Sequence, residues 1–236
     1  MADKTETSVQ PPSKVEQDPV FYFSDVTFQV ENSLFKVHRL PFQQGSKVFR
    51  EMFQLPAPEG GVADGCDDDH PLHLEQIKKE DFKQFLRVLF PGSVIYEARC
   101  IVSWTSHSSR PYKQETLPAT LAEWTSVLKL STMWDFDVVR QNTIKQMFSM
   151  NLGCVRRAVL AIEYDIDEWL VPALNELARR KEPITLAEMA HMGAELTLKM
   201  AAVRENVTYD WNCLKLGERK AERIDFSPKI REVLGL

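Results

Sequence analysis

The stretch from Ser24 to Phe53, SDVTFQVENSLFKVHRLPFQQGSKVFREMF, constrains the fold more than any other part of the chain. Val26, Phe28 and Val30 alternate with Thr27 and Gln29, the period of a strand with one buried face. Glu31-Asn32-Ser33 is a polar interruption suited to a turn, and Phe35 and Val37 then resume the alternation. Pro41 has no N–H to give to a sheet ladder, so the second strand ends before it. Ser46 is placed to cap a helix that carries Val48, Phe49, Met52 and Phe53 at helical spacing. A hairpin feeding a helix is therefore expected. It holds no nucleophile, phosphate loop or metal cage, so its expected work is binding and not catalysis.

A chain of 236 residues that is 44% apolar can build one large domain or two small ones. With 27% charged residues and a net charge of −5, it lacks the basic face that nucleic-acid binding requires. No run approaches the roughly 18 apolar residues of a membrane-spanning helix. The first 20 residues are polar and have no apolar core of a secretory signal. Cys66, Cys100, Cys154 and Cys213 are far apart and are read as reduced thiols. A cytoplasmic or nuclear location is expected.

Residues 1–20, with Pro11, Pro12 and Pro19, are expected to be a disordered tail. Residues 55–69 are a loop rich in Gly and Asp, and Leu72 and Leu74 mark a short third strand. Phe82, Phe85, Leu86, Leu89 and Phe90 form one apolar stripe of a helix over 80–90, which Pro91-Gly92 stops. Residues 92–118 are an irregular insertion, longer than ordinary connections, in which Val94-Ile95-Tyr96 and Cys100-Ile101-Val102 have strand character.

From Leu121 to about Glu205 the pattern is helical. Trp124, Val127, Leu128 and Trp134 mark a first helix; Phe136, Val139, Thr143, Ile144 and Met147 a second; Val155, Ala158, Val159 and Ile162 a third. Trp169, Leu170, Ala173, Leu174 and Leu177 mark a fourth, with Pro172 expected in its first turn. The capping box Thr185-Leu186-Ala187-Glu188 opens a fifth, read as continuous through Met189, Gly193, Leu196, Met200 and Val203. Short links between these helices imply stacked hairpins. The chain is accordingly divided into a mixed domain over 21–150, a helical extension over 151–205 and an apolar, docked arm over 206–236.

Cys66, Asp67, Asp68, Asp69, His70 and His73 crowd eight positions. Thiolate, imidazole and carboxylate are zinc ligands, and a small metal-dependent enzyme using Cys66, His70 and His73 is one reading. No second ligand pair accompanies them, so an acidic surface loop is favoured and no metal or other cofactor is assigned. No G-x-S-x-G elbow, G-x-G-x-x-G or P-loop is present. Glu163, Asp165, Asp167 and Glu168 cluster at a helix junction, where carboxylates answer the helix dipole. Asp25 and Arg39 stand at the two ends of the hairpin, which lie side by side. They are read either as a surface pair of little worth or as a partly buried pair at a subunit interface.

These segments resemble the BTB/POZ domain. Asp25-Val26-Thr27-Phe28-Gln29-Val30, Phe35-Lys36-Val37-His38-Arg39 and Ser46-x-x-Phe49-x-x-Met52-Phe53 follow its opening pattern, with Phe42 where that pattern has Leu. Leu72 to Phe90 resembles its third strand and third helix. Leu121 to Met147 resembles its helical end in the form common among fungal members, and Leu152 to Glu205 the helical extension that follows it there. The resemblance implies an α+β fold, a three-stranded sheet flanked by helices with an all-helical extension. It implies a non-enzymatic interaction module that forms homodimers, with Asp25, Arg39, Val48, Phe49, Met52 and Phe53 at the interface. It also implies, as further partners, transcriptional regulators or a cullin-type ubiquitin-ligase scaffold; Ile95 and Glu97 fit the family's short cullin-contact motif.

Overall fold

The computed structural model describes residues 16–18, 22–56, 61–91, 94–95, 113–114, 117–205 and 224–236. The chain divides into two compact units, residues 1–79 and 80–236.

In the first unit β1 (Asp25–Val30) pairs antiparallel with β2 (Ser33–His38) and parallel with β3 (Leu72–His73), giving the strand order β2-β1-β3. The turn between β1 and β2 is two residues, Glu31-Asn32, with Glu31 left-handed at φ 51°. Ser33 thus opens β2 and does not belong to the turn. Val26, Phe28 and Val30 are buried as the alternation requires. Thr27 is buried too, because residues 65–70 cover it: its N–H donates to the Gly65 carbonyl at 2.9 Å. Gly65 needs to be glycine. Its φ is +81°, and a Cβ there would stand 2.8 Å from Val26 Cγ2.

Two short helices follow the hairpin, α1 (Leu40–Gly45) and α2 (Lys47–Met52). The first is not visible in the apolar pattern. Pro41 sits in its first turn, where a missing N–H removes no ladder bond, and Phe42 is its single buried residue. Ser46 caps α2, its Oγ accepting from the Phe49 N–H at 3.1 Å. These helices bring Phe42 and Phe49 onto Phe28, with ring centroids 4.9 to 5.8 Å apart. All three rings are buried, and truncating any one would cost about 3–5 kcal/mol. The third strand is shorter than its apolar pair suggested: Leu74 lies beyond it, although its N–H still donates to the Gln29 carbonyl at 2.9 Å.

The second unit is helical apart from the two-residue strands β4 (Val94–Ile95) and β5 (Lys113–Gln114), which pair antiparallel. Most of the expected 92–118 insertion, and of the 1–20 tail, lies outside the described residues. The helices are α3 (Lys79–Leu89), α4 (Leu121–Met133), α5 (Asp137–Phe148), α6 (Cys154–Glu163), α7 (Asp167–Arg179), α8 (Leu186–Met192), α9 (Ala194–Glu205) and α10 (Ser227–Leu234). The boundary expected at residue 150 falls between α5 and α6, inside this unit.

α4 packs on α5, and α6 on α7, and the two pairs repeat one another. Trp134-Asp135-Phe136-Asp137 and Tyr164-Asp165-Ile166-Asp167 make the same turn, displaced by 30 residues (135 to 165). The first and third residues of each turn are buried, the second is left-handed at φ 57° or 52°, and the fourth begins the next helix. Asp165 is thus a turn residue, while Asp167 and Glu168 lie in the first turn of α7, where the dipole favours them.

Two helical expectations are corrected. Pro172 is the sixth residue of α7, not a first-turn residue; the aromatic turn starts the helix at Asp167, earlier than the apolar stripe alone indicates. It is exposed, so the carbonyl that loses its ladder partner can meet water. The fifth helix is two, α8 and α9, because Gly193 at φ +80° and ψ 158° leaves the helical region between them. α10 docks on α7 and α9, burying Phe226 and Ile230 in a cluster with Ala173, Leu174, Leu177, Met200 and Val203. Asn175 Oδ1 accepts from the Phe226 N–H at 3.0 Å, and Arg179 Nε donates to the Ile224 carbonyl at 2.7 Å.

Candidate interaction surface

The hairpin register decides where the two charged candidates go. Val30 pairs with Ser33, so Asp25 stands opposite His38, and Asp25 Oδ1 lies 2.9 Å from His38 Nδ1. The expected Asp25–Arg39 pair is replaced by this exposed one, with Phe23 tilted over the His38 ring at 5.3 Å. A turn of three residues would have set Asp25 opposite Arg39. It would also have put Val26 and Phe28 opposite His38 and Lys36, separating the apolar faces that the two-residue turn brings together.

Arg39 stands one residue further on, where β2 ends. Its N–H donates to the Ser24 carbonyl at 2.9 Å, and its carbonyl accepts from the Phe42 and Gln43 N–H groups of α1. Its guanidinium turns across α2: Nη2 donates to the Phe53 carbonyl at 2.7 Å, and Cζ lies 4.2 Å from the Phe53 ring centroid. A cation over an aromatic face combined with a charge-assisted hydrogen bond clamps the end of α2 to the end of the hairpin. Arg39 Nε is buried and has no partner among the described residues. The role of Arg39 in the fold is thus to hold a helix end.

Several apolar side chains of α1, α2 and the residues just after them are open to solvent. Val48 is 45% exposed, Leu40 52% and Leu55 70%, while Met52 and Phe53 are half-buried. Phe49 differs from its neighbours on α2. Its ring lies in the aromatic core and supports the face from beneath. Leu40 and Leu55 were missed because they lie outside the helix read from the sequence; each is a single leucine with no periodic partner.

Of the loop ligands, Cys66 and His70 converge, together with Asp67, while His73 lies on β3 and lines a separate hollow of about 440 Å³ with Gln29, Glu31, Gln76 and Lys78. Ile95 is placed in β4 by its backbone only, and Glu97 lies outside the described residues.

The titration shifts elsewhere have structural causes. A hydrogen bond from Arg180 holds the Glu188 carboxyl down at about 2, helped by the Thr185 N–H of the capping box. The N–H groups of Thr120 and Ala119 lower Glu123 in the same way. Perturbed groups point to active sites only where no such framework explains them. No described helix is long and apolar enough to cross a membrane.

The first unit is a small mixed sheet followed by short helices that carry exposed apolar side chains. Residues 17–110 match the BTB/POZ domain family, whose domains serve as protein-interaction modules. No curated protein matches the chain.

Proposed function

We propose that the protein is a non-catalytic interaction module that homodimerises through the α1–α2 face of its BTB/POZ domain. The observation that carries this is that Leu40 of α1, Val48 of α2 and Leu55 just beyond it are exposed and Met52 and Phe53 half-buried, with the end of α2 held by Arg39. Large apolar side chains exposed on neighbouring helices favour an interaction site. A second copy is a partner that presents the same surface, and a two-fold contact buries it against itself. Asp25 and His38 are an exposed polar pair at the end of the hairpin that leads into α1.

Size-exclusion chromatography with light scattering tests this. The wild-type chain is expected to run as a dimer at micromolar concentration. The Val48→Asp/Met52→Asp double variant is expected to run as a monomer with an unchanged far-ultraviolet circular dichroism spectrum. A wild-type monomer would sink the proposal.

A further inference from the structure

The loop before β3 brings three chemically different metal-binding side chains together. Cys66, Asp67 and His70 each offer one ligand atom, and these atoms lie within 4.8 Å of one another. The loop is already ordered. The Gly65 N–H donates to the His70 carbonyl at 2.7 Å, and the Gly65 carbonyl accepts from Thr27 in the central strand. Within it, Asp67 Oδ1 accepts from the Asp69 and His70 N–H groups at 3.0 and 2.7 Å, and lies 2.9 Å from His70 Nδ1. Asp68 is engaged elsewhere, its Oδ1 3.4 Å from Thr27 Oγ1 and 3.9 Å from Lys36 Nζ.

We propose that Cys66, Asp67 and His70 bind a divalent cation of the zinc class, with water completing the shell. Zinc bonds of about 2.0–2.3 Å in a tetrahedral shell set ligand atoms roughly 3.3–3.8 Å apart. Ligand atoms no more than 4.8 Å apart reach that spacing by rotation of side chains that are exposed or half-exposed, with His70 Nδ1 moving out from its 2.9 Å contact with Asp67 Oδ1. The donor set selects the ion. Calcium and magnesium take oxygen shells, whereas thiolate with imidazole favours zinc and its neighbours. Preorganisation reduces the entropy that a floppy loop would lose on binding. The thiol of Cys66 gives up its proton to solvent, and the imidazole binds neutral with its proton on the other nitrogen, so one proton leaves per cation. The bound ion would brace the loop that covers β1.

Cobalt(II) is the probe, titrated into the full chain under a non-chelating reductant and followed by absorption. The expected result is one equivalent bound, with a thiolate-to-cobalt charge-transfer band that zinc abolishes by displacement and excess magnesium leaves intact. Cys66→Ser is expected to remove the band, and His70→Ala to weaken binding by at least about tenfold. His73→Ala is expected to change nothing. Absence of the band overturns the proposal. So does a band that survives Cys66→Ser, which would place the thiolate on another cysteine, or equal loss in His73→Ala.

Discussion

The α4–α5 and α6–α7 pairs are built on one plan and differ at a few positions that show what each pair must touch. Their buried positions coincide across the 30-residue displacement: Leu128 with Ala158, Leu130 with Leu160, Ile144 with Leu174, Met147 with Leu177. The turns close with the same bonds. The Trp134 and Phe136 N–H groups donate to Leu130 and Ser131 carbonyls, and those of Tyr164 and Ile166 to Leu160 and Ala161. The difference lies at Arg140 and its counterpart Leu170. Arg140 Nη2 donates to the carbonyls of Tyr164 and Asp165, both at 2.8 Å, so the first pair holds the turn of the second. Leu170 packs instead against the cluster shared with α9 and α10. A repeated hairpin thus keeps its turn and changes its outward residues according to its neighbour.

The largest expected effect tests the shared turn. Trp134 packs edge-on against Phe82 and Phe85, with centroids at 6.0 and 5.3 Å, and Tyr164 holds the same place in the second pair. Trp134→Ala should cost about 3–5 kcal/mol in urea unfolding with unchanged m, and Tyr164→Ala a similar amount. If Tyr164→Ala costs below about 1 kcal/mol, the second turn is not anchored as the first is, and the equivalence fails.

Arg140→Ala tests the difference. It leaves two carbonyls without their charged donor, for an expected loss of about 1–3 kcal/mol. Hydrogen exchange should quicken at the start of α7 more than at the start of α5. Equal quickening at both ends would mean that Arg140 does not act forward along the array.

The repeat was legible only in part. The 3.6-residue stripes of Trp124 to Met147 and Val155 to Leu177 locate the helices, because burial on one face writes itself into the apolar period. The turns do not write themselves so. Asp135 and Asp165 are left-handed, a conformation tolerated by Asp without being announced by it, and Pro172 drew the expected start of α7 too late. In the first unit, β1 and β2 follow from alternation. The six residues of α1 hold a single buried side chain, Phe42, too few for a period. The candidate surface was half legible. Ser46 and the spacing after it place α2, yet Phe49 is buried, and the exposed Leu40 and Leu55 lie outside that helix. The Asp25–Arg39 pairing failed on one residue of turn length, and comparison of apolar faces across the hairpin would have supplied the right register. His73 was grouped with Cys66 by closeness in sequence, while the strand carries it to another surface and Asp67 takes its place.

The smallest expected effect is the most exacting test of the equivalence. Asp135 at φ 57° and Asp165 at φ 52° each carry a Cβ in a backbone region where glycine meets no strain. Replacement by glycine relieves that strain and loosens the unfolded chain, and the two effects oppose one another. The net change should stay within about 1 kcal/mol at either site. Because the backbone angles and closing bonds match, the two changes should agree in sign. The carbonyl of Asp165 is also bonded by Arg140, so its variant is measured again with Arg140→Ala present. If Asp135→Gly stabilises while Asp165→Gly destabilises only when Arg140 is intact, the clamp sets the turn's conformation. If the signs differ even without Arg140, the two turns resemble each other in shape and are held by different forces.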